Sequence, residues 1–65
     1  MEDEPILQFF SFDHLSPDLQ AVSRHFKRLA EIIAEGLPRN QERAMALRKL
    51  LEAKDCAIRA VLFHE

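Results

Sequence analysis

Apolar residues recur along this chain in two long stretches at helical spacing. From Leu19 the positions Leu19, Val22, Phe26, Leu29 and Ile33 fall at steps of three and four, one stripe of an amphipathic helix. From Asn40 to Phe63 the chain has no Gly or Pro, and Leu47, Leu51, Ile58 and Val61 share one helical face. Ala46, Ala53, Ala57 and Ala60 form a small-residue stripe beside it. Ser16-Pro17-Asp18 reads as a helix start: Ser16 as cap, Pro17 at the first helical position and Asp18 favouring the dipole. Gly36 and Pro38 end that helix, and Asn40 caps the next. The connection between them is short, which places the helices antiparallel and adjacent.

The stretch before them, PILQFFSFDHL, is apolar without helix-start signals. Alternation at Phe10 and Phe12 suits an extended strap. Phe9 and Phe10 are expected in the core, leaving at least one ring as a stacking platform. The predicted fold is all-α: an antiparallel helical hairpin (helix 17–35, helix 41–63) with an extended or short-helical N-terminal arm (6–15). It forms a single domain (6–65) behind an acidic flexible tail (1–5).

Size then bears on assembly. The chain has 65 residues, and a domain this short buries only about 60% of its unfolded surface. The second helix has two apolar stripes and a single partner helix, so a homo-oligomer is expected, with a binding site where subunits meet. Cys56 is the only cysteine, which excludes an intrachain disulfide; on a helix it is expected to be a small buried hydrophobe. The acidic N-terminus MEDEP lacks a signal-peptide pattern, and no apolar run approaches the roughly 20 residues of a membrane span. A cytosolic, soluble protein is expected.

Charge and motifs narrow the function classes. Glu2, Asp3 and Glu4 supply three of the eleven acidic residues, so the rest of the chain, with nine basic residues, is close to neutral. That argues against a polymer-binding nucleic-acid regulator, as do the interspersed Glu31, Glu35, Glu42 and Glu52. His14, His25 and His64 are scattered without metal-ligand spacing, and no catalytic motif or cofactor fingerprint occurs; neither an enzyme nor a cofactor is expected. Arg24, Lys27 and Arg28 form one basic patch on the first helix. Lys54 falls in line with Leu47, Leu51 and Ile58, on the apolar stripe. It must snorkel, pair with a carboxylate such as Glu31 or Glu35, or face a ligand, and pairing is the favoured reading. An aromatic ring beside a cation suits a nucleotide, the ring stacking on a base and the cation meeting phosphate. Phe12 and Lys27 supply these halves. A lone hairpin is expected to hold them too far apart, so a dimer interface is the place for them to meet.

Phe12 to Lys27, FDHLSPDLQAVSRHFK, resembles the opening of the small phage anti-CBASS proteins that act as cyclic-nucleotide sponges. Phe12, Leu15, Ser16 and Lys27 match that family in order and spacing. ALRKLLEAKDCAIRAVLF is similar to its second helix. The resemblance spans roughly Phe12 to Val61. It implies dimers assembling into a hexamer in the host bacterial cytoplasm. It also implies sequestration, without cleavage, of cyclic dinucleotides where subunits meet, and for some members of cyclic trinucleotides in separate pockets. Phe12 stands where the family has a base-stacking tyrosine, and so lacks its hydroxyl. Lys27 stands where it has a phosphate-contacting lysine, and Arg59 matches an arginine of the trinucleotide pocket. The candidate ligand-binding set is thus Phe12, Lys27, Arg24, Arg59 and Lys54. The competing class is a non-enzymatic helical oligomerisation or protein-interaction module with no nucleotide ligand.

Overall fold

The computed structural model describes residues 5–63, and the acidic tail expected at 1–5 lies outside them except for Pro5. A short 3₁₀ arm, Pro5–Phe10, precedes helix α1, Pro17–Gly36, and helix α2, Gln41–Leu62. The two helices pack against each other as a hairpin, and the arm touches both. The arm is therefore short-helical, and Pro5 at its start suits a turn that needs no donor there.

The caps follow the expected positions with different chemistry. Asn40 Oδ1 accepts from the backbone N–H of Arg43 at 2.9 Å, and its carbonyl accepts from Ala44 N. Ser16 is the N-cap residue of α1, but its hydroxyl donates instead to Asp18 Oδ1 at 2.6 Å. That bond, with backbone donors at Asp18 and Leu19, holds the Asp18 carboxyl below its ordinary pKa. Gly36 is the last helical residue and has no positive φ, so the stop does not use the left-handed turn that glycine permits. Leu37 closes the helix by donating its N–H to Ile33 O at 3.2 Å.

The core is small. Phe10, Ala30 and Leu47 are its buried apolar residues, with Ile6, Leu7, Phe26, Ile33, Leu50 and Leu51 packed around them. Among the described residues the polar Ser23, Arg43 and Lys54 are buried with it. Arg43 donates from Nη1 to the carbonyl of Ala34 at 2.7 Å, joining the start of α2 to the last turn of α1. Among the described residues Ser23 Oγ has no hydrogen-bond partner.

Three sequence expectations are corrected here. Leu29, assigned to the α1 stripe, is 44% exposed, and Ser23 and Ala30 hold the fully buried α1 positions. Ala30 packs with Phe10 and Leu47 in the core, so the face of α1 that is turned inward carries small residues and leaves Leu29 toward its edge. Phe9 is 56% exposed, so of the Phe9–Phe10 pair only Phe10 is core. Cys56 is exposed rather than buried, and its Sγ accepts from Arg59 Nη2 at 3.3 Å.

Candidate functional site

Phe12 lies just past the arm, on a turn closed by Leu15 N–H donating to Phe12 O at 3.0 Å. Gln20 in the first turn of α1 reaches back, its Nε2 donating to Leu15 O at 2.7 Å and to Asp13 O at 3.4 Å. On the other side Phe10 is clamped in the core. The Phe12 backbone is thus fixed from both directions while its ring stays only half-buried.

Lys27 reaches that ring. Helical side chains lean toward the helix N-terminus, so the four-carbon stem of Lys27 runs back along α1 toward the turn. Its Nζ lies over the Phe12 ring, 5.4 Å from the centroid. The pair meets within one chain. This corrects the expectation that a single hairpin would hold the two residues too far apart. The arm folds back along the helices and brings Phe12 alongside α1 rather than leaving it beyond the helix end. Such a cation–π contact contributes about 0.5–1 kcal/mol at a partly exposed site.

The other candidates are placed differently. Arg24 is exposed, one turn before Lys27 on α1, so it borders the pair without touching it. Arg59 is exposed on α2 and is joined to Cys56, not to the Phe12–Lys27 pair. Lys54 leaves the set of available ligand contacts. It is 7% exposed, its ammonium donates to the Phe9 carbonyl of the arm, and it lies 5.9 Å from the Phe10 ring centroid. Its carboxylate neighbour is Asp55, at 3.9 Å, rather than Glu31 or Glu35. A carbonyl at the end of a 3₁₀ turn lacks an intrahelical donor, and Lys54 supplies one from the opposite helix.

A separate groove of about 680 Å³ runs between the arm and the first half of α2. Ile6 and Phe9 of the arm and Met45, Leu47, Arg48 and Leu51 of α2 line it. Phe9 and Met45, both about half exposed, line it. Neither Phe12 nor Lys27 does. Sequence periodicity could not indicate this groove, because one wall is the arm.

Among the described residues no group of three or more His, Cys, Asp or Glu side chains is placed to hold a metal ion, and no helix is long and apolar enough to cross a membrane. A scan against protein-family models, a search of curated proteins and a search of solved structures find no match to this chain.

Proposed function

We propose that this protein binds cyclic oligonucleotide second messengers and sequesters them intact, in the manner of the phage anti-CBASS sponges its sequence resembles. The observation that carries the reading is the Phe12–Lys27 pair: a half-buried aromatic face on a fixed turn, with a primary ammonium beside it. A base stacks on the ring, at about 1–3 kcal/mol. The ammonium meets the phosphate linkage, at about 1.5–3 kcal/mol. Arg24, one turn away, adds positive charge at the rim. The mechanism is capture without chemistry, in the cytoplasm of an infected bacterium.

A homo-oligomer is part of the proposal, a dimer at least and a hexamer by the resemblance. Its support is the small core, together with the groove in which Phe9 and Met45 stand half exposed. The groove also favours a second reading, a helical oligomerisation or interaction module with no nucleotide ligand, because it lies apart from Phe12 and Lys27.

Calorimetric titration with a panel of cyclic di- and trinucleotides, followed by chromatography of the released ligand, separates the two. The expected result is tight binding, ligand recovered intact, and a ten- to hundredfold loss in Lys27→Ala, the equivalent of about 1.5–3 kcal/mol. No binding across the panel by a protein that sediments as an oligomer establishes the interaction module instead. An unchanged Kd in Lys27→Ala removes that lysine from the site.

A further inference from the structure

Lys27 covers one face of the Phe12 ring, a face on which a base could stack. A stacked base lies about 3.5 Å above a ring, at van der Waals distance, and the ammonium at 5.4 Å from the centroid occupies that approach. Among the described residues Lys27 has no ion pair and no hydrogen bond, and the ring is its one partner of this kind. The backbone that carries the ring is held in place. Its turn is tied by the Leu15 N–H and the Gln20 side chain, and the residues just before it are anchored through Phe10 and by Lys54 on the Phe9 carbonyl.

We infer that Lys27 caps Phe12 in the free protein and yields the face only to a ligand that offers the ammonium a phosphate, so that the pair selects for base and phosphate presented together. The inference rests on the nucleotide-binding reading above and concerns its selectivity. A free base or nucleoside must displace the ammonium and give it nothing in return. A partly exposed cation–π contact is worth about two- to fivefold in an equilibrium, and an uncharged ligand loses that factor. A phosphodiester regains it, because a charge-assisted contact to phosphate is worth about ten- to a hundredfold. The lysine therefore acts twice, as a cover against uncharged competitors and as the recognition element for the linkage. An uncharged side chain at position 27 serves neither purpose.

The test compares wild type, Lys27→Met and Phe12→Leu. Adenosine and guanosine are titrated by NMR, cyclic dinucleotides by calorimetry, and the Lys27 ε-methylene shift is followed in each. The expected result is a change of opposite sign in Lys27→Met: nucleosides bind two- to fivefold more tightly, cyclic dinucleotides at least tenfold more weakly. The ε-methylene signal is displaced upfield by the ring in wild type. It returns to its ordinary position in Phe12→Leu and on saturation with cyclic dinucleotide. Nucleoside affinity that falls in Lys27→Met, or a methylene shift equal in wild type and Phe12→Leu, overturns the inference. Tight cyclic dinucleotide binding with the upfield shift retained in the complex overturns it while leaving the sponge reading intact. Wild type that binds no cyclic nucleotide overturns both.

Discussion

Lys54→Met isolates what the buried ammonium does for the fold. Methionine keeps most of the stem and its apolar packing, and removes the donor. The lost interactions can be added up. The bond to the Phe9 carbonyl is charge-assisted and contributes about 1.5–3 kcal/mol. The contact with the Phe10 ring at 5.9 Å adds about 0.5–1 kcal/mol. The Asp55 pair at 3.9 Å, with a half-exposed carboxylate, adds at most about 1 kcal/mol. Against these stands the dehydration of the ammonium, which methionine escapes and which offsets part of the sum. A net loss of about 1–3 kcal/mol is expected. With a urea slope of about 1 kcal/mol/M for a small domain, the unfolding midpoint drops by about 1–3 M. The arm should loosen first. The Ser11 amide, which donates to Gln8 O at 3.3 Å, is the reporter, and its hydrogen exchange should accelerate more than that of amides within α2. A variant as stable as wild type, with Ser11 still protected, refutes the reasoning: it shows that dehydration outweighs the bond and that apolar packing alone holds the arm.

Two further substitutions test local accounts. Ser23 is fully buried, with no hydrogen-bond partner for its hydroxyl among the described residues, so Ser23→Ala should raise stability by about 1 kcal/mol and the melting temperature by about 4–8 °C; a lower melting temperature means that the hydroxyl has a partner. The Asp18 carboxyl is held below its ordinary value chiefly by the Ser16 hydroxyl, so whatever stability it lends is present above the unfolded aspartate value of about 3.9 and is lost as pH falls through the depressed folded value. Ser16→Ala should move the Asp18 titration upward in a carboxyl-detected NMR experiment, and an unmoved curve removes the hydroxyl as the cause.

Both long helices were legible from period, cap and breaker residues, because those signals act within a few positions of one another. Asn40, Pro17 and the Gly36–Pro38 stop are all of this kind. The contents of the core were less legible, and the reason is specific. Periodicity weights large apolar side chains, so it chose Leu29, whereas the seat of Phe10 is made by the small residues beside it, Ala30 above all. Which small residues matter depends on where the arm crosses, and no local signal encodes that. Lys54 shows the same limit. Its position on an apolar stripe marked it as unusual, but the acceptor is a main-chain carbonyl in a segment 45 residues away, not a carboxylate that the sequence displays. Phe12 and Lys27 were readable as types and as a resemblance. Their meeting in one chain was not, because it depends on the arm folding back.

The bond between Lys54 and Phe9 spans 45 residues, and that span sets an order of events. Closing a loop of this length in an unfolded chain costs about 3 kcal/mol of chain entropy, whereas each helix forms from neighbours and the hairpin from a four-residue link; once the hairpin stands, only the short segment between Phe10 and Pro17 is left to close. The arm is therefore synthesised before the two helices and seated after them. It waits until α2 has emerged and turned back before Phe10 has a seat and the Phe9 carbonyl a donor. Phe12, attached to that arm, reaches its place beside Lys27 only when the arm is seated, so a nascent or partly unfolded chain has both residues without their contact.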